Sequence, residues 1–129
     1  MSISEEQDLN ELSHQIIGSC IDIHKQIGPG LLESIYQDML CFDLGNKGIS
    51  FEKEKEIGLI FKGNEFHTKL RADLIIENKI IVELKAVKEI HPIYGAQLLT
   101  YMKLTKIALG LLINFDVTLL KDGIHRFRL

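Results

Sequence analysis

The sequence predicts an α/β fold in which helices cover a central mixed β-sheet. Two segments in the first third of the chain carry apolar residues at helical spacing, and the stretches 71–90 and 108–115 contain apolar runs of strand length. The resulting order is two helices, three or four strands, a helix and two strands. That order is typical of an α/β sandwich, in which the helices bury the apolar faces of the sheet.

The first two elements are predicted helices. Residues 5–27 contain an apolar stripe made of Leu9, Leu12, Ile16, Cys20, Ile23 and Ile27. The sequence GPG at 28–30 ends this helix. A second helix is expected from about residue 31 to residue 46, and its core stripe consists of Leu32, Ile35, Met39 and Phe42.

The remaining elements are mostly strands. Alternation in residues 50–70 predicts a β-hairpin with a short turn at Gly63-Asn64, and residues 71–90 predict a second hairpin. Residues 91–106 predict a helix with Pro92 near its first turn. The run "ALGLLINF" predicts a buried strand, and "KDG" turns the chain into a last short strand, "IHRFRL".

Length and composition indicate one globular domain, residues 1–129, with a cytoplasmic location. No apolar run reaches the length of a membrane span, and the acidic amino terminus is not a targeting signal. Cys20 and Cys41 lie among apolar neighbours, so we expect reduced packing residues. The formal net charge of -3 argues against a protein that coats nucleic acid by electrostatics alone, although it permits a local basic patch.

The second hairpin, "RADLIIENKIIVELKAVKEI", carries charges inside its apolar strands. With a three-residue loop at 77–79, Asp73 lies opposite Glu83, and Lys85 shares their face. A two-residue loop would place Asp73 opposite Leu84 and would break the cluster. The other face is wholly apolar, so the charged residues are expected to project from one side of the hairpin.

Two opposed carboxylates repel each other unless something neutralises them. A divalent cation does so, and oxygen ligands completed by water are the preference of Mg²⁺ or Mn²⁺. Water beside such a metal becomes a nucleophile near neutral pH, which suits attack on a phosphodiester, and Lys85 could hold that water. The alternative is an open, solvated face on which Asp73 pairs with Lys85 or Arg71.

Two further stretches carry a family resemblance: "GLLESIY", residues 30–36, has the form GxxExxY, and "QLLTY", residues 97–101, has the form QxxxY. Together with "RADLIIENKIIVELKAV" and "GLLINF", they resemble the GxxExxY protein family of the PD-(D/E)xK nuclease superfamily. The resemblance runs from about His24 to Arg126. It implies a restriction-endonuclease-like core, a mixed sheet flanked by helices, with a divalent metal site on the central hairpin.

The resemblance also implies roles for individual residues. Asp73 matches the motif aspartate, Glu83 and Lys85 match the ExK pair, and Gln97 and Tyr101 match the helical QxxxY. Glu33, Asp73 and Glu83 are then the acidic residues of the metal site. The proline that often precedes the superfamily's aspartate is absent, and "RAD" stands there instead.

Simpler readings compete at several positions. Glu33 in the first turn of a helix also interacts favourably with the helix dipole, and Tyr36 is expected to pack or orient rather than to catalyse. Gln97 and Tyr101 are adjacent on a helix surface and could orient Lys85 or a phosphate, or could form a half-buried polar stripe. Phosphate contacts could come from exposed basic residues, namely Arg71, Lys88, His91, Arg126 and Arg128.

The leading hypothesis is a Mg²⁺- or Mn²⁺-dependent nuclease acting on nucleic acid, with DNA favoured over RNA. The second is a non-catalytic module that keeps the nuclease fold and binds nucleic acid or a protein partner. The third is a structural homodimer with a vestigial charge cluster. No membrane partner is expected.

Overall fold

A computed structural model describes all 129 residues. The helices are α1 (Ile3–Ile27), α2 (Glu33–Asn46) and α3 (Pro92–Thr105). The strands are β1 (Phe51–Glu56), β2 (Leu59–Phe61), β3 (Asn64–Phe66), β4 (Arg71–Ile76), β5 (Ile80–Lys85), β6 (Leu109–Asn114) and β7 (Ile124–Arg128), with a 3-10 helix at Leu120–Gly123. None of the helices combines the length and the apolar character that a membrane crossing requires.

Five strands form one sheet in the order β1-β4-β5-β6-β7. Only β5 and β6 are parallel, and the other neighbours are antiparallel. The mixed sheet is explained by the connections, because α3 provides the long crossover that the parallel neighbours β5 and β6 need, whereas a tight turn joins the antiparallel β4 and β5. The predicted fold class, a mixed sheet flanked by helices, is confirmed.

The sheet buries two apolar clusters, one on each face. The larger cluster joins α1 and α2 to alternate residues of the central strands, including Leu74, Ile76, Val82 and Leu84. The smaller cluster lies under α3 and contains Ile75, Ile81 and Leu112. Because side chains alternate along a strand, Asp73, Glu83 and Lys85 project toward the face that α3 covers.

The core stripe predicted for α1 is buried apart from its last member, Ile27, which is about half exposed. The stripe predicted for α2 is wrong. Leu32, Ile35 and Phe42 are exposed, while the buried residues are Tyr36, Gln37, Leu40, Cys41 and Leu44. Apolar residues occur on both the exposed and the buried sides of α2, so spacing alone could not determine its rotation.

The predicted hairpin in residues 50–70 is partly wrong. β1 pairs with β4 over Phe51↔Ile76 to Glu56↔Arg71, and only β2 and β3 form the local hairpin. The turn residues are Lys62 and Gly63, both with positive φ, rather than Gly63-Asn64. The charged β1 is an edge strand, where solvent-facing charges protect the free edge, and its apolar partner lies further along the chain.

The rest of the chain follows the prediction. His91 caps α3 by accepting the backbone N–H of Ile93 through Nδ1, and Pro92 is the first helical residue. Gly110 permits a close approach of α3, because a Cβ there would meet Met102 Sδ at 2.6 Å. Cys20 and Cys41 are free and buried, and burial raises the pKa of the Cys20 thiol to about 12.

Candidate active site

The register of the β4–β5 hairpin is the predicted one. Ile76 pairs with Ile80, and the loop at 77–79 contains Asn78 in the left-handed conformation, with φ 55°. The hairpin closes with a hydrogen bond from Lys79 N to Ile76 O of 2.9 Å. Continuing this register brings Asp73 alongside Glu83.

At Asp73 and Glu83, hydrogen bonds between backbone N–H groups and side-chain carboxylates replace the backbone-to-backbone hydrogen bonds of the two strands. The last regular pair is Leu74↔Val82, and beyond it the N–H of Leu84 donates to Asp73 Oδ2 at 2.8 Å. The N–H of Asp73 donates to Glu83 Oε1 at 3.3 Å. Each carboxylate therefore accepts a backbone N–H of the opposite strand. These hydrogen bonds fix both carboxylates on the α3 side of the sheet.

Burial and mutual repulsion shift the acidity of this pair. The pKa of Glu83 is raised to about 9, mainly by burial and also by the adjacent charge of Asp73. Burial also raises the pKa of Asp73, while the Leu84 N–H, a hydrogen bond with Glu83 and the charge of Lys85 act in the opposite direction. Two carboxylates this close cannot both ionise readily, so without a cation the pair retains a proton, which we assign to Glu83.

Lys85 is the positive partner of the pair. Its charge lowers the pKa of both Asp73 and Glu83, and the side chain is half-buried. The Nζ atom lies 4.4 Å from the ring centroid of Tyr94 on α3, within cation–π distance. The backbone of Lys85 is fixed as well, because its carbonyl accepts the N–H of Phe115 at 2.9 Å.

The α3 residues of the QxxxY motif lie in different environments. Tyr101 is buried, and its pKa is raised by burial and by the charges of Glu83 and Asp73. Gln97 is exposed, and its side chain makes no hydrogen bond within the protein. The residue of α3 that contacts Lys85 is Tyr94, one turn before Gln97.

Glu33 and Glu54 are acidic residues at the margin of the pair. Glu33 is exposed at the start of α2, and its Oε1 accepts the N–H of Ala86, the residue after Lys85, at 3.4 Å. Glu54 lies at the β1 position opposite Asp73 and raises the pKa of that aspartate. Its Oε1 accepts Gln37 Nε2 at 3.2 Å.

Sequence reasoning did not find Glu54 because "FEKEKE" has the appearance of any solvated edge strand. It also passed over Asn114, a buried residue at the end of β6 that pairs with Lys85. The Asn114 amide donates to Val87 O at 2.8 Å and accepts Val87 N at 3.1 Å, which anchors the segment after Lys85. The sequence signal that could have identified Asn114 is that a polar residue ends an otherwise apolar strand.

The tyrosine of the first motif has a structural role, as expected. The Tyr36 hydroxyl donates to Gly28 O at 2.6 Å and accepts the N–H of Leu31 at 3.2 Å. Its ring stacks on Phe115 with centroids 4.2 Å apart. Tyr36 thereby holds the turn between α1 and α2, where Gly30 has a φ of 107°.

A family model of the PD-(D/E)XK nuclease superfamily matches residues 10–127. The chain belongs to this superfamily. The match covers β1 to β6, all of β7 except Arg128, and the three helices apart from the first residues of α1. Neither the curated proteins nor the solved structures gave a match.

PD-(D/E)XK nucleases generally use divalent metal ions, and the Asp73–Glu83 pair fits such an ion. Both donors are hard carboxylate oxygens, which Mg²⁺ and Mn²⁺ prefer, and a cation would replace the proton that the pair otherwise keeps. No three His, Cys, Asp or Glu side chains are grouped as a complete protein metal cage. An ion on this pair would therefore rely on water or phosphate for its other ligands, which is common for Mg²⁺.

Proposed function

We propose that this protein is a metal-dependent nuclease that hydrolyses phosphodiester bonds of nucleic acid, with Mg²⁺ or Mn²⁺ as the cofactor. The observation that carries the proposal is the buried carboxylate pair of Asp73 and Glu83, flanked by Lys85, in a chain of the nuclease superfamily. Within the superfamily we assign the chain to the GxxExxY family on the motifs "GLLESIY" and "QLLTY". DNA is the favoured substrate over RNA.

Asp73 and Glu83 would hold the ion, which when bound supplies Lewis acidity that neutralises phosphate charge and promotes ionisation of water. The hydrogen bonds from Leu84 N and Asp73 N preorganise the two carboxylates and keep them on one side of the hairpin. A third acid would act on the ion through a water ligand or through its charge, and Glu33 is supported for this role by its contact at the end of β5. Glu54 is supported by the influence of its charge on Asp73.

Lys85 is the proposed catalytic cation. Its charge lowers the pKa of both carboxyl groups and its ammonium lies against the Tyr94 ring, so it can stabilise negative charge on the scissile phosphate and orient the attacking water. The Tyr101 hydroxyl can donate a hydrogen bond next to the pair, and exposed Gln97 can contact the substrate at the rim. These roles are proposed from position and chemistry.

The test begins with Mn²⁺ calorimetry on wild type, Asp73→Ala and Glu83→Ala, with Glu11→Gln as a control because Glu11 is an exposed acid on α1. We expect saturable binding that both site variants lose and the control keeps. Cleavage of labelled single-stranded DNA, duplex DNA and RNA follows, with Lys85→Ala compared with Lys103→Ala, a variant of an exposed lysine on α3.

Lys85→Ala is expected to abolish cleavage without loss of folding, and Lys103→Ala to retain it. Cleavage that persists in Lys85→Ala contradicts the catalytic role of Lys85. Nucleic-acid binding that is indifferent to Asp73→Ala, with no cleavage of any substrate, would instead indicate the non-catalytic module. The proposal includes a cytoplasmic location. The free, buried cysteines Cys20 and Cys41 are compatible with it.

A further inference from the structure

The β2–β3 hairpin, residues Leu59–Phe66, exposes an apolar surface that no other element covers. Phe61 is 60% exposed and Phe66 is 46% exposed, and Ile60 is exposed as well. The hairpin forms its own two-stranded sheet and is not part of the five-stranded one. Exposed aromatic residues on a short independent hairpin contribute little to the core and are typical of contact surfaces.

The hairpin is attached at the active-site end of the sheet. The last β1–β4 pair is Glu56↔Arg71, and the backbone then closes with a hydrogen bond from Ile57 N to Leu70 O at 2.8 Å. Ile57 is buried in the same cluster as Tyr101, and Leu70 packs against that cluster. Asp73 is two residues beyond Arg71, about 7 Å along the strand. The base of the hairpin is therefore held beside the carboxylate pair.

The two phenylalanines lie on one face of the hairpin. Leu59 pairs with Phe66 and Phe61 pairs with Asn64, and cross-strand partners share a face. Phe61 and Phe66 are thus diagonal neighbours, about 7–8 Å apart. Lys62 Nζ lies 5.4 Å from the centroid of the Phe61 ring, which joins an ammonium to an exposed aromatic surface.

The local charge suits an anionic partner. Residues 57–71 contain three permanent cations, Lys62, Lys69 and Arg71, against one carboxylate, Glu65, although the whole chain has a net charge of -3. All three cations are exposed. Aromatic rings flanked by cations are the combination that binds single-stranded nucleic acid, because bases stack on the rings and phosphates contact the ammonium and guanidinium groups.

We propose that the β2–β3 hairpin is a binding arm for unpaired nucleotides, which stack on Phe61 and Phe66 while Lys62, Lys69 and Arg71 contact the backbone. This assignment rests on the proposed nuclease function and specifies its substrate as single-stranded nucleic acid. Unpaired bases are required because in a duplex the faces of the bases are already stacked on one another. The arm then positions the strand so that a phosphate lies at the carboxylate pair.

The test measures binding of a fluorescein-labelled oligothymidylate by anisotropy in EDTA, so that the strand is not cleaved. Phe61→Ala and Phe66→Ala are each expected to weaken binding by about 5- to 150-fold, the range for one lost stacking contact. The matched control is Phe42→Ala, because Phe42 is a 72% exposed phenylalanine on α2, on the opposite face of the sheet. Binding of a blunt duplex should change much less.

A direct readout of stacking is available because the chain contains no tryptophan. Phe61→Trp gives a single indole emitter, whose fluorescence should be quenched by oligothymidylate and not by the blunt duplex. Phe42→Trp is the control emitter, and its emission should not change. Circular dichroism of each variant shows whether it is folded.

The outcomes separate the arm from the nuclease function when the same variants are also assayed for cleavage with Mn²⁺. If Phe61→Ala and Phe66→Ala bind oligothymidylate as the wild type does and cleave at the wild-type rate, the proposed binding arm is overturned and the nuclease function stands. Ring-dependent binding without cleavage supports the arm and opposes the nuclease function. Equal losses on single strand and duplex overturn the assignment to unpaired nucleotides, and an absence of any binding or cleavage overturns both proposals.

Discussion

The Lys85 ammonium lies 4.4 Å from the ring centroid of Tyr94, so a residue of α3 fixes the direction of a lysine on β5. This contact connects the crossover helix to the charged side of the hairpin. If Lys85 acts on the scissile phosphate, the Tyr94 ring is a positioning group for it.

Replacing Tyr94 is accordingly expected to affect turnover through Lys85. Tyr94→Phe keeps the ring face and should retain most of the activity, whereas Tyr94→Leu removes the cation–π contact and should lower kcat about three- to tenfold, with little change in KM. Steady-state cleavage kinetics measure both values. Equal activities of the two variants would show that the contact does not position Lys85.

The protonated carboxylate pair predicts an unusual dependence of stability on pH. The pKa of Glu83 is about 9 in the folded protein, against 4.5 for the solvent-exposed side chain of the unfolded protein. Between these two pH values the folded state keeps a proton that the unfolded state releases. The resulting stabilisation is complete below about pH 4.5 and is lost as the pH rises toward 9. Between these values the free energy of unfolding should fall by up to about 1.4 kcal/mol per pH unit.

Urea unfolding in EDTA across this pH range measures the effect. Glu83→Gln should flatten the decline and should make the protein more stable than wild type at high pH, whereas Glu11→Gln should follow the wild-type curve. Addition of Mg²⁺ to the wild type should also reduce the decline, since the cation takes the place of the proton. A wild-type curve that is level in EDTA would contradict the buried, protonated state of Glu83.

The two candidates for the third acid can be separated by metal affinity. We expect Glu54→Gln to weaken Mn²⁺ binding about tenfold, because the charge of Glu54 acts on Asp73. Glu33→Gln should have a smaller effect, because Ala86 N–H holds the Glu33 carboxylate at the end of β5. Calorimetry of both variants decides between them, and the reverse order would assign the third position to Glu33.

The Tyr36 hydroxyl predicts a stability effect that is separate from catalysis. Tyr36→Phe removes the hydrogen bonds to Gly28 O and Leu31 N but keeps the ring stacked on Phe115. The free energy of unfolding should fall by about 1–3 kcal/mol, because the partners in the turn lose a buried donor and acceptor. Urea unfolding gives this value, and Mn²⁺ affinity should stay within about twofold. A loss of metal binding without loss of stability would indicate a direct role for Tyr36 in the site.

The sequence by itself determined the element order, the register of the β4–β5 hairpin and the side-by-side arrangement of Asp73 and Glu83. These features depend on contacts between residues close in sequence, where alternation and loop length leave few choices. Alternation along the strand also placed Lys85 on the face of the pair, whereas Tyr101 was indicated by the resemblance of "QLLTY" to the QxxxY motif of the family. The left-handed conformation of Asn78 in the three-residue loop followed from the same local rules.

Only the tertiary structure decided how distant segments meet. The rotation of α2 was not determined by its apolar pattern, since its outer side carries Ile35 and Phe42 while its inner side includes the polar Gln37. The pairing of β1 with β4 brought Glu54 opposite Asp73 and left β2–β3 as a separate exposed hairpin. Packing of α3 on the sheet brought Tyr94, rather than Gln97, to Lys85. Each of these features depends on how one element packs against another, and local periodicity carries no information about which surface an element will cover.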